Sequence, residues 1–234
     1  MPEVLRPPSA GRGGAASLDG PLPVQQEGHA RPEARPETDA PGGSGLPLLF
    51  NLVTARQHRS LRKLQAPGPT ALEAEALFRA AAAAPDHGRL RPWRFVVVSD
   101  AGRDRLGEAF ALALCDRDPG ATAEQLADAR RKAGRSPFLV LAVLRKRDDN
   151  TGIPVAERTV SLGCAVQNLL LGATALGYAS GLASGRSLDS QRMRSLFALD
   201  DDESPICFIG VGTASNPSAP RERPNTAEFV TTLS

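Results

Sequence analysis

The chain has 234 residues, room for one domain and a tail. Hydrophobic content of 41% and charged content of 23% are ordinary for a globular protein, and 4% aromatics leave the core to Ala, Val, Leu and Ile. A net charge of +2, with acids and bases intermixed, argues against nucleic acid as the main partner, and no apolar stretch is long enough to span a membrane.

Residues 1–45 hold eight of the 20 prolines and eight of the 22 glycines. They carry almost no bulky apolar side chains and no periodicity. Such a segment cannot bury enough surface to offset its ordering entropy, so a disordered Pro/Gly-rich extension is expected there. The folded domain is expected over 46–234. "LPLLFNLVTARQH" sets Leu49, Leu52 and Val53 at helical spacing. Residues 61–69 read as a loop. Thr70 and Glu73 form a capping box for a helix over 71–84, which Pro85 ends. "RFVVVS" (94–99) reads as a strand, and Asp100 as the cap of a helix to about Leu114. A polar helix around 121–134 precedes "FLVLAVLRK" (138–146), a strand apolar on both faces. The helix from Val155 to about Leu176 is apolar nearly all round, which suits a core or a dimer interface. A strand over 178–184, a short helix over 187–197 and a strand over 205–213 complete the pattern. "RPNTAEFV" reads as extended.

Several chemistries are excluded by spacing. "GVGTAS" (210–215) follows a strand but lacks the third glycine and the helix of a dinucleotide fingerprint. Ser184 lacks the flanking glycines of a nucleophile elbow. His29, His58 and His87 have no neighbouring ligand set for a metal. Cys115, Cys164 and Cys207 are an odd, widely spaced set in apolar surroundings. Free thiols in a reducing cytoplasm are expected.

Two stretches carry more. In "RQHRSLRK" (56–63), cations at a helix C-terminus complement its dipole, or Arg59 and Ser60 form a phosphate clamp. In "AAAAAPDHGRLRPWRF" (80–95), His87 either bonds a loop carbonyl or faces a ligand, and Trp93 either plugs the core or does more. Together the "RxxRSxRxL" start, "APDHxxxxPWRF" and a small-residue "SG" strand resemble the FMN-dependent nitroreductase superfamily. The resemblance runs over roughly 48–230.

It implies an α+β fold, a three-layer α/β/α sandwich around a central mixed sheet, in a homodimer with FMN at the subunit interface. It implies that His58, Arg59 and Ser60 bind the FMN phosphate and ribityl, with Arg62 as a helper. The family's first Arg is His58 here. It places Ala83 and His87 beside the flavin, and Arg91 where the family commonly has Gln. Leu182, Ala183 and Ser184 align with a further flavin-binding stretch, having lost an aromatic and an Arg. The segment Gly172, Ala173, Thr174, Ala175, Leu176 and Gly177 aligns with a stretch for nicotinamide contact. The implied activity is hydride transfer from NADH or NADPH through FMN to a small-molecule acceptor such as a nitroaromatic or quinone. No protein nucleophile is expected, because the cofactor carries the chemistry. A flavin-binding or flavin-sequestering protein on the same fold is the alternative. Membrane and nucleic acid are not expected partners.

Overall fold

The computed structural model describes residues 45–146, 151–216 and 222–233. All lie in the compact unit Gly43–Ser234. The extension read over 1–45 falls outside them, apart from Gly45.

Among the described residues five strands form one sheet: β1 (Leu64–Gln65), β2 (Trp93–Val97), β3 (Phe138–Arg145), β4 (Ala179–Ala183) and β5 (Glu203–Ala214). β5 is the longest and the hub. It pairs with β3 from Phe138↔Val211 to Arg145↔Glu203 and with β4 from Ala179↔Gly212 to Ala183↔Phe208. β2 pairs with β3, and β1 with the far end of β5. Every strand pair among the described residues is antiparallel, where a mixed sheet was expected. The parallel contact is the single bridge His58↔Ser180. Strand direction is set by how helices and loops return the chain, which local patterning does not record.

β3 shows why the sheet lies between two helical layers. Val140, Ala142 and Leu144 point into one cluster with Leu77, Leu162, Ala165, Leu169 and Ala173. These come from α2 (Ala71–Ala82) and α5 (Val155–Ala175). Leu139, Leu141 and Val143 point the other way, against Leu106, Ala109 and Met193. The latter lie on α3 (Asp100–Arg117) and α6 (Gln191–Leu196). α4 (Ala123–Arg131) packs on α3. α1 (Gly45–Ala55) lies beside α5 and buries none of its residues. Alternation of period two with both faces apolar thus yields the three-layer α/β/α sandwich.

Local signals resolve as follows. The Thr70–Glu73 capping box is present, and Tyr178 Oη donates a further bond to Glu73 Oε2 at 3.0 Å. Ser99, not Asp100, caps α3, its hydroxyl accepting from the Gly102 amide. Both residue types cap well, so adjacent candidates leave the register open by one. The expected loop at 61–69 holds a 3-10 turn at Leu61–Lys63 and β1. The expected helix over 187–197 is only Gln191–Leu196. The tail at 222–233 contains a 3-10 turn at Thr226–Glu228 closed by its own capping box on Asn225. All three cysteines are free. The G-x-G of β5 is a packing device: a Cβ on Gly210 would meet Leu61 Cγ at 2.6 Å, and one on Gly212 would meet Pro137 Cγ at 2.6 Å. No helix among the described residues is long and apolar enough to cross a membrane.

Candidate active site

The site begins where the segment after α1 lies down on β4. The Arg59 amide donates to Ser180 O at 2.9 Å, beside the His58↔Ser180 bridge. The Leu182 amide donates to His58 Nδ1 at 3.4 Å. This approach requires Gly181. A Cβ there would fall 1.8 Å from the Arg59 carbonyl oxygen and 2.8 Å from its carbon, so the segment could not stay in place. His58 therefore pins two backbone segments together, and it lines neither cavity described below. The reward is adjacency. Ser60, Leu61 and Arg62 now face Leu182, Ala183 and Ser184 across one cavity of about 440 Å3.

The rest of that cavity comes from the opposite helical layer. Phe110 and Arg117 come from α3, and Lys132 and Arg135 from the turn after α4. Arg186 follows β4, and Leu139 and Phe208 form the apolar floor from the sheet. Arg103 fixes the α4 turn by donating to Ala133 O at 2.6 Å and Pro137 O at 2.9 Å. Five cations thus line the cavity, and no Asp or Glu does. None of the five makes a side-chain hydrogen bond or ion pair among the described residues. Several arginines elsewhere pair with carboxylates: Arg94 with Glu203, Arg130 with Glu108, Arg192 with Asp116. Desolvation first, then the charges of Arg135, Arg117 and Arg62, pull the Lys132 ammonium below its usual value. Burial and the charge of Arg62 do the same to Arg135. Cations gathered this way repel one another until an anion joins them. Lys132→Met is accordingly expected to raise the melting temperature of the ligand-free protein by roughly 1–4 °C. An unchanged or lowered value by calorimetry would show that the repulsion is absent.

Other expected residues lie apart from this cavity. Arg59 lines a smaller one of about 200 Å3, with Gln57, Thr174, Gly177, Tyr178 and Ser180. Gly172 and Ala173 serve packing. A Cβ on Gly172 would press Leu77 Cδ2 at 3.0 Å, and Ala173 lies in the core. Ala175 and Leu176 are exposed at the end of α5. Ala83 is the exposed C-cap of α2. His87 Nδ1 lies 2.7 Å from Glu157 Oε2 in the first turn of α5. The Arg91 amide donates to Asp86 Oδ2 at 2.8 Å, and its side chain is exposed. Gly88, Arg89 and Arg91 take positive φ, so this loop presents its side chains by a tight left-handed path. Neither cavity is lined by Ala83, His87 or Arg91.

Four cavity cations, Arg117, Lys132, Arg135 and Arg186, carry no motif of their own. The one local hint is "RRKAGR" (130–135), a dense basic run that also suits a helix C-terminus. Arg223 is another residue the motifs do not mark. It donates to Arg56 O at 2.9 Å, tying the tail to the end of α1.

Comparison with known proteins agrees with this architecture. The Nitroreductase family model matches residues 55–213. A Haemophilus influenzae protein named "Putative NAD(P)H nitroreductase" is 33% identical, over 79% of this chain and 98% of its own length. The Escherichia coli protein named "Putative NAD(P)H nitroreductase YdjA" is 33% identical, over 72% of this chain and 87% of its own. A nitroreductase-like family protein from Bacillus cereus superposes with a TM-score of 0.67 at 17% identity, covering 79% of this chain and 95% of that one. The FMN-dependent nitroreductase NfnB from Mycobacterium smegmatis, solved with NADPH, gives a TM-score of 0.63 at 18% identity, covering 82% of this chain and 100% of that one. The two solved structures share the fold, and the matched family model and curated relatives make this chain a member of the nitroreductase family.

Proposed function

We propose that the protein is an FMN-dependent NAD(P)H oxidoreductase whose basic cavity holds the flavin. One observation carries this reading: in a nitroreductase-family chain, the expected flavin contacts Ser60 and Leu182–Ser184 line a cavity whose cations make no side-chain hydrogen bond or ion pair among the described residues. The volume and the mixture of apolar floor and convergent polar groups suit a cofactor site. Ser60, Arg62, Lys132 and Arg135 would hold the phosphate and ribityl. The Leu182–Ser184 backbone would border the ring. Bound there, FMN supplies hydride acceptance from NADH or NADPH and hydride release to an acceptor such as a nitroaromatic or quinone. The cations favour negative charge on the reduced ring without themselves exchanging a proton.

The same reading includes a homodimer. α1 exposes Leu46, Leu48, Leu49 and Phe50, and α5, on which it packs, exposes Val155 and Val160. The run Leu46–Phe50 on one helix is exposed apolar surface of the kind that marks an interface. A second copy would cover it and would bring Ala83, His87 and Arg91 to a flavin they do not approach within one chain. Thr174 and Gly177, beside Arg59 in the smaller cavity, remain the best placed of the proposed nicotinamide segment. Three free thiols fit a cytoplasmic setting.

The test is steady-state turnover. The purified protein is expected to oxidise NADH or NADPH only when a nitroaromatic or quinone is supplied. A yellow protein that oxidises neither nucleotide is a flavin-binding module instead.

A further inference from the structure

We propose that the electron acceptor of this site is anionic, bearing a carboxylate or phosphate that Arg117 and Arg186 receive. The inference rests on the flavin reading above and extends it to the substrate. Its basis is a charge imbalance. Five cations line the cavity with no carboxylate in its lining, and none of them makes a side-chain hydrogen bond or ion pair among the described residues, Asp128 acting on Lys132 and Arg135 only through its charge. A flavin phosphate carries about two negative charges, and an anionic reduced ring adds roughly one more. About two positive charges are then left over.

The surplus has a location. Lys132 and Arg135 are half-buried and form the inner pair, and Arg62, though exposed, follows the expected phosphate contact Ser60 by two residues. Arg117 and Arg186 are exposed where they line the cavity, one at the end of α3 and the other after β4. Exposed lining residues stand at the opening through which a second ligand enters. A cleft lined by one sign of charge concentrates ions of the opposite sign and speeds their arrival. The planar guanidinium also binds carboxylate and phosphate through paired hydrogen bonds. Neutral acceptors gain nothing from either effect. The redox step is that of any nitroreductase. The nitro group takes up the hydride's two electrons with its hydrogen and one proton, one N–O bond breaks, and nitroso product and water leave. The nucleotide leaves as NAD(P)+.

The experiment compares the wild-type protein with the Arg117→Gln/Arg186→Gln variant, using para-nitrobenzoate against para-nitrobenzamide. Without reductant, nitrobenzoate is expected to raise the melting temperature of the wild type more than nitrobenzamide does, and the variant is expected to lose that difference. With reductant, the ratio of kcat/KM for nitrobenzoate over nitrobenzamide is expected to fall about tenfold in the variant. In the wild type the ratio should also fall as salt rises. A ratio unmoved by both the substitutions and the salt overturns the proposal. Should the substitutions shift only the NADPH-to-NADH ratio, the arginines hold the nucleotide's 2′-phosphate and the acceptor assignment is overturned. A colourless wild type without turnover removes the flavin reading and this inference together. A yellow one that reduces both acceptors alike, before and after substitution, removes this inference alone.

Discussion

Gly181→Ala is expected to release the flavin and to destabilise the fold together. The added Cβ would sit 1.8 Å from the Arg59 carbonyl oxygen, a backbone atom that no rotamer change can move away. Either β4 or the segment at 58–62 must retreat. Overpacking of this kind costs about 1–3 kcal/mol, or roughly 2–12 °C of melting temperature in a domain of this size. The functional loss should exceed what the thermal loss explains, because the retreat separates Ser60 and Arg62 from Leu182–Ser184. Circular dichroism at low temperature checks that the variant is still folded, and the flavin-to-protein ratio then reads the site. A folded variant that keeps both its melting temperature and its flavin would show that the two segments are not held by this contact.

Glu203→Gln is expected to give the larger thermal effect with less effect on cofactor. The Glu203 side chain is 3% exposed at the start of β5. Arg94 Nε and Nη2 donate to its two oxygens, each at 2.6 Å. Arg145 Nε lies 3.4 Å away, and the Asp200 amide donates at 3.3 Å. Removing one partner of a buried pair leaves the other charge uncompensated. Arg94 is 28% exposed, so water softens the loss to roughly 2–4 kcal/mol, or about 4–16 °C. The pH dependence has a definite sign. The bonds from Arg94, then those from the Asp200 amide and Arg145, hold the carboxyl below its ordinary value of 4.5, outweighing the opposing effect of burial. Its contribution is therefore complete above about pH 4.5 and is lost as the pH falls through the lowered folded value. The variant should lose less stability than the wild type over that acid range. Parallel pH profiles would contradict the role given to Glu203.

These two residues show what the sequence makes legible. Helix α2 is announced by Thr70, Glu73 and Pro85, all within the element they bound, and β3 by an apolar run with no competing pattern. The site is different. Its cations sit at 62, 117, 132, 135 and 186, and only the fold makes them neighbours. Ser60 and Leu182–Ser184 were within reach because a family motif marks them. The bond that the His58 ring accepts from a strand 124 residues away leaves no mark in that motif. Gly181 lies in a strand of small residues where nothing local distinguishes it from Ala183. Its necessity appears only when the Arg59 carbonyl is seen against it.

The central claim is that the basic cavity is a flavin site competent for reduction. The most direct measurement is the visible spectrum of the purified protein, taken anaerobically before and after addition of NADH and of NADPH. A bound flavin absorbance that bleaches with at least one nucleotide, and returns when a nitroaromatic or quinone is added, is the expected result. A protein that shows no flavin absorbance, even after incubation with FMN and removal of the excess, contradicts it.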